Sequence, residues 1–324
     1  MANDSFNARH TKQVNQYVDQ IHSGTSFFQV IPEELGNILY CDTSNDNAAS
    51  KTAEEIKKHI IIVLSICLGI IGLMWLLMPS KIGLCSIISA VVLFFSIRHC
   101  IKSTKFNGTD YFIGTNGFAI LDFEGQRNNI VSKRLHLFDD LSELMTSETY
   151  KKKNYTYVGT DYLFAFMGKV DHNNLTDIAI EVSGEYQQEK PKDEIYNTVY
   201  LYWKKVEEIW TEYLFKKKDA EIKQNQEITF NLLVYDKPTD KIKCVPYVVF
   251  GDARIVVGDR EYNNSNLKSI YFDNGNLVIE HINHTKKLLG LIEKGNIERI
   301  PLSNVGNKKM FLKILNSMTK YGIQ

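Results

Sequence analysis

Two runs of lysine stand out in the sequence, Lys151, Lys152, Lys153 and Lys216, Lys217, Lys218. Beside an anionic leaflet each ammonium gains about 1 kcal/mol of attraction, so both runs are the contact expected for an anionic lipid or a partner. The first run is followed by Tyr155 and Tyr157. The second follows Glu207, Glu208 and Glu212 and precedes Asp219, which bring its surroundings close to neutral and make a solvated helix face the competing reading. His281 and His284 stand in HxxH spacing, but a zinc site needs further ligands and no Cys or carboxylate spacing supplies them nearby. Asp139 and Asp140, close to Glu143, read as an acidic loop or helix start rather than a catalytic pair. Gly168-Lys169 lacks phosphate-loop spacing, and GxSxG, HExxH and GxGxxG are absent. The sequence therefore assigns no catalytic residue, no cofactor and no metal ligand.

Lys plus Arg is 38 and Asp plus Glu is 38, a balance that argues against a nucleic-acid partner. With 44% hydrophobic and 23% charged residues the chain has the composition of a folded protein, and 324 residues allow two domains. The five cysteines, Cys41, Cys67, Cys85, Cys100 and Cys244, include no CxxC. An odd count without that spacing points to free thiols in a reducing compartment.

The elements that would position the lysines begin with an apolar block at 59–97. His59 to Met78 holds no Lys, Arg, Asp or Glu. As a helix it would rise about 30 Å, the thickness of a hydrocarbon core. A second run, 82–97, would rise about 24 Å, with Lys81 and Arg98 extending to the interfaces. The Pro79-Ser80-Lys81 link permits only an antiparallel hairpin. Lys51, Lys57 and Lys58 precede the first span, Arg98, Lys102 and Lys105 follow the second, and the turn between carries only Lys81. The positive-inside rule then gives a multi-pass protein of the plasma (inner) membrane, integral in the lipid bilayer, with both termini cytoplasmic. The spans carry no ionisable group beyond the boundary His59, which argues against transport.

Segment 1–58 is polar, with Val14, Tyr17, Val18 and Ile21 at helical spacing over 11–22. From 106 the period becomes two. Strands are expected at 110–113 and 118–123 around Asn116-Gly117, at 129–137, at 155–158 and 162–167 around Gly159-Thr160-Asp161, and at 178–182. A helix over 195–224 follows, burying Trp203, Val206, Trp210 and Leu214. The pattern then recurs. Strands over 228–300 include a hairpin around Asp273-Asn274-Gly275, and a helix over 307–321 turns Phe311, Ile314, Leu315 and Met318 to one side. The fold class expected is mainly β with α. It places a transmembrane hairpin (59–78, 82–97) before two antiparallel β units, 106–224 and 228–324, each closed by a C-terminal helix.

The stretch FIGTNGFAILDF at 112–123 and the tail at 276–318, in a chain of about seven strands before each helix, resemble bacterial membrane proteins that carry pleckstrin-homology-like (PH-like) domains. The resemblance implies a membrane-anchored cytoplasmic binding or scaffold module, non-enzymatic, with an unknown protein or lipid partner. Eukaryotic relatives bind phosphoinositides through Lys and Arg of the first hairpin, whereas Gly114–Gly117 here holds neither. An enzyme or stress effector with scattered active-site residues, and a small oligomeric pore, are the alternatives.

Overall fold

A computed structural model describes residues 6–45, 106–188, 195, 197–225, 227–251, 254–287 and 292–318, with isolated positions between 57 and 94. The chain divides into two compact units, one built from 11–114 and 118–135, the other from 1–10, 115–117 and 136–324.

In the first unit, helix α1 (Phe6–His22) places Tyr17, Val18 and Ile21 against a sheet. The sheet order is β1 (Ile38–Thr43), β2 (Phe106–Gly114), β3 (Gly117–Gly125) and β4 (Ile130–Leu137). Alternation along the strands sends Cys41, Phe112, Ala119 and Leu121 to the α1 side, where Phe28, Leu35 and Ile38 complete a buried cluster. Antiparallel β1 and β2 pair Thr43 with Asp110, and Asn45 donates to the Asn107 carbonyl at 2.9 Å. Positions 46–105 thus leave and re-enter the sheet at neighbouring points. Arg127, only 3% exposed, closes this root. Its guanidinium pairs with Asp110, donates to the Asn45 carbonyl at 3.1 Å, and lies 4.8 Å from the ring centres of Phe27 and Phe123.

The second unit starts with a three-stranded antiparallel sheet in the order β5 (Leu144–Lys153), β6 (Thr156–Met167), β8 (Ile178–Tyr186). Helix α2 (Thr198–Asn225) covers one face of it. Trp203 and Trp210 bury at 1% exposure against Phe164 and Phe166, and Val206 and Leu214 are buried with them. Beyond α2, β9 (Ile228–Asp236) and β11 (Arg254–Val257) pair with β10 (Lys241–Gly251), and β12 (Arg260–Asn263) adds to β11. The short β7 (Leu175–Thr176) also pairs with β10. A further sheet runs β13 (Leu267–Asp273), β14 (Asn276–His281), β17 (Ile297–Pro301), and β15 (Thr285–Lys287) pairs with β16 (Ile292–Lys294). The β13–β14 turn is set by Asn274 and Gly275, both at positive φ, as a tight hairpin of this handedness requires. Helix α3 (Lys308–Met318) buries Phe311, Ile314 and Leu315, with Phe311 edge-on to Phe230 at 5.2 Å. The Met318 side chain lies outside the described residues.

Two expectations are corrected. Among the described residues no helix is long and apolar enough to cross a membrane. The helical hairpin, the multi-pass plasma-membrane localisation and the cytoplasmic orientation built on it are therefore withdrawn. Most of 59–97 lies outside the described residues, and of the side chains described there Leu64 is half-buried and the others, such as Ile62, Leu73 and Leu76, are exposed. Run length and charge measure hydropathy, whereas a span also needs about 20 continuous helical residues. Among the described residues the helix of that length is α2, 28 residues long, and it exposes lysines and Glu212 along its outer side.

The tandem PH-like class is corrected as well. The sheets are antiparallel and open. Strands β2–β4 join β1, β5–β6–β8 form a sheet apart, and β7 reaches past α2 to β10. Period-two alternation locates strands but does not choose their partners, so a strand–strand–helix order in sequence did not fix closure.

Candidate binding surface

The β5–β6 hairpin carries the first lysine run at its tip. Lys153 pairs with Thr156 and Lys152 with Tyr157, and a bulge falls between Lys151 and Lys152. The turn is made by Asn154 and Tyr155 at φ 49° and 64°. Two successive residues at positive φ give the turn whose twist matches a hairpin. Asn tolerates that region, while a tyrosine there is uncommon because its Cβ crowds the backbone. Tyr155 is 99% exposed. Lys152 and Lys153 are exposed too and make no ion pair among the described residues. Tyr150 packs on Tyr157 with ring centres 5.9 Å apart, so the tip presents two ammonium groups, a free aromatic ring and a paired one.

Lys151 is used differently. It bridges Asp161 at 3.1 Å and Glu185 at 2.8 Å, tying β5, β6 and β8 together, and these bonds hold its amine above the ordinary lysine value. Glu185 crosses β6 at Gly159, where a Cβ would lie 2.1 Å from its Oε1. A shallow trough of about 510 Å³ opens on this outer face, lined by Ser147, Thr149, Asp161, Leu163, Ser183 and Glu185 among others.

The opposite face of the sheet holds a polar cluster under α2. Glu148 accepts from Tyr200 at 2.9 Å, Tyr186 at 3.3 Å and Lys204 at 3.4 Å. Burial pushes the Glu148 carboxyl up, but Lys204 and Tyr200 outweigh it and hold it below its ordinary value. Burial and the neighbouring Glu148 push the Tyr200 phenol up. Burial pulls Lys204 down, and Glu207 and Glu148 reverse this and raise it. Each group is thus held in one protonation state, Glu148 ionised, Tyr200 neutral and Lys204 protonated, so the cluster does not exchange protons near neutral pH.

The second lysine run lies elsewhere. Lys217 pairs with Asp139 at 2.9 Å and donates to Tyr213 at 3.2 Å, Lys216 is exposed, and Lys218 is half-buried towards Glu143. Asp139 precedes β5, whereas Lys152 and Lys153 stand at its far end, so at about 3.3 Å per residue the two runs are more than about 20 Å apart. The structure does not bring them into one patch. Asp139 and Asp140 sit on a single 3-10 turn, Asp140 pairing with Lys169 at 2.7 Å. His284 is buried, with Nδ1 3.3 Å from Glu280, whereas His281 is half-buried beside Tyr262. Among the described residues no three His, Cys, Asp or Glu side chains are grouped to hold a metal.

Sequence reasoning placed a hairpin turn at Gly159-Thr160-Asp161. These residues instead run inside β6, and the turn is Asn154-Tyr155. Gly159 marks the crossing of Glu185, not a reversal. The available signal was Asn154 directly after the lysines, since Asn readily takes positive φ in turns.

No family model, no curated protein and no solved structure matches this chain. The resemblance to bacterial membrane proteins with PH-like domains is corrected accordingly, since short stretches and strand order carried it and neither the closed sheet nor a spanning helix accompanies them.

Proposed function

We propose that the chain is a non-enzymatic binding module whose contact surface is the tip of the β5–β6 hairpin, with an anionic lipid headgroup surface as its ligand. The observation that supports this is Tyr155, which sits fully exposed in a left-handed backbone conformation between Tyr157 and two exposed lysines that make no ion pair among the described residues. An aromatic ring with a polar edge suits a boundary that is apolar on one side and wet on the other. Lys152 and Lys153 add about 1 kcal/mol each near such a surface, so binding is weak, reversible and screened by salt.

The test is a Tyr155→Trp variant of the full chain, its emission read against the unaltered protein. Of the three native tryptophans Trp203 and Trp210 are buried, and the signal of all three, Trp75 included, is removed by subtracting the response of the unaltered protein to the same vesicles. Vesicles of phosphatidylcholine with 30% phosphatidylserine should shift the added emission to the blue at low salt, and vesicles of phosphatidylcholine alone should not. Adding Lys152→Gln and Lys153→Gln should weaken the response roughly tenfold or more, from two charges of about 1 kcal/mol. A tip that stays water-exposed on phosphatidylserine, or a response indifferent to salt and to the two lysines, would overturn the reading.

A further inference from the structure

Away from the hairpin tip, a buried carboxylic acid sits where β5, β9, α2 and α3 meet. Glu143 is 7% exposed and has a neighbour on each carboxyl oxygen. Asn307 Nδ2 donates to Oε2, and Asn231 Nδ2 donates to Oε1 at 2.7 Å. Gly306 leaves no room for a side chain, because a Cβ would lie 2.3 Å from Glu143 Oε2. The Gly306 amide in turn donates to the Asn231 carbonyl at 3.0 Å.

The two amide walls differ. The Asn307 Oδ1 accepts from Trp210 Nε1 at 2.8 Å and from the Leu144 amide at 3.1 Å. Both of these groups can only donate, so the Asn307 amide has one orientation and always turns its NH₂ to Glu143. Asn231 is half-buried on β9, and among the described residues no donor-only group is bonded to its side-chain amide. It can turn over. With Glu143 ionised, Asn231 donates to Oε1. With Glu143 protonated on Oε1, the acid donates to Asn231 Oδ1. The site is therefore built to take up one proton from solvent without losing a hydrogen bond.

We infer that Glu143 and Asn231 form a proton-operated clasp on α3: closed while Glu143 is neutral, and loosened when it ionises and leaves a charge buried at the joint. Among the described residues the charged or titratable groups that face Glu143 from packed elements are Lys218 on α2 and Cys244 on β10. Burial pushes the Glu143 carboxyl up to about 7 from 4.5, against the pull of Asn231, Lys218 and Asn307. Burial and Glu143 push the Cys244 thiol up to about 12, so it stays neutral through this range. The docked state holds more protons than the undocked one between these two values. Docking is strongest below the ordinary carboxyl value, is lost as pH rises through about 7, and levels off above it. The full span corresponds to about 300-fold in the docking equilibrium.

Hydrogen exchange of the α3 amides in the full-length protein, corrected for intrinsic rates, reads this directly between pH 5 and 9. Protection should fall by about 80-fold as pH rises across this window, the rest of the span lying below pH 5. Glu143→Gln copies the neutral acid, accepting from Asn307 and donating to Asn231, and should hold α3 protected at every pH. Lys218→Gln removes an attracting charge and should move the fall to higher pH. A flat profile in the unaltered protein, or an unchanged fall in Glu143→Gln, would overturn the clasp. Should Glu143→Gln fail to fold, carbon-13 titration of the Glu143 carboxyl in the unaltered protein decides: a midpoint near 7 supports the clasp, and one near 4.5 overturns it.

Discussion

Tyr155 is held in a backbone region that costs an L-residue roughly 1–2 kcal/mol, and its side chain recovers none of that through packing at 99% exposure. Tyr155→Gly should therefore raise stability by about 1 kcal/mol, read as a higher urea midpoint, while removing the vesicle response. A loss of stability instead would mean the ring is braced in a way the exposure contradicts. Arg127 is the opposite case, a buried cation whose partners are fixed. Arg127→Met leaves Asp110 buried without its counter-ion and should cost about 3–5 kcal/mol by denaturant unfolding. The sequence placed Tyr155 beside the lysines, but neither its positive φ nor the Arg127–Asp110 pair was legible there. Tyr155 is one of 17 tyrosines, and Arg127 lies 17 residues from Asp110 and 84 from Thr43, with no periodicity to connect them.

Helix α2 was legible because one property decides it. Apolar residues recurring every three to four positions can only be buried together on one face, and Trp203, Val206, Trp210 and Leu214 are. Trp210 also packs on Phe138, Phe166 and Tyr213 and donates to Asn307. Trp210→Ala should lower stability by about 3–5 kcal/mol and raise exchange in α3 as well, because Asn307 loses one of the two donors that hold its side-chain oxygen. An effect confined to α2 would show that the two helices are not coupled through that bond. The strands were legible singly and not in company. The two-residue β7 carries no alternation long enough to notice, and its partner at Ile242 and Lys243 follows the whole of α2. The tip turn was misread because a glycine required by a crossing side chain looks, in one dimension, like a glycine required by a bend.

At the scale of the molecule, β1 and β2 of the first unit are separated in sequence by the 60 positions 46–105, and Asn45, Asn107 and Arg127 hold the flanking backbone together. A closed root means the sheet does not need what lies between. Replacing 46–105 with a four-residue turn containing Asn-Gly should keep β1–β4 paired. It should stabilise the unit by about 2 kcal/mol, the difference in closure entropy between loops of these lengths. Backbone amide shifts of β2 and β3 would check the pairing, and their collapse would show that the excursion supports the sheet. The apolar character of 59–97 was the loudest signal in the sequence and its least informative one about these strands, since hydropathy averages say nothing of where a segment is rooted.

The bond between Asn307 and Leu144 joins positions 163 residues apart. On a ribosome adding about 5–20 residues per second, the start of β5 waits roughly 8–30 s for the residue that caps its first amide. Through that interval Glu143 has neither Asn307 nor Gly306 beside it and faces water as an ordinary acid. The second unit therefore completes its core only once residue 307 has been made, and the nascent strand β5 is the segment a chaperone would meet uncapped at its acidic end.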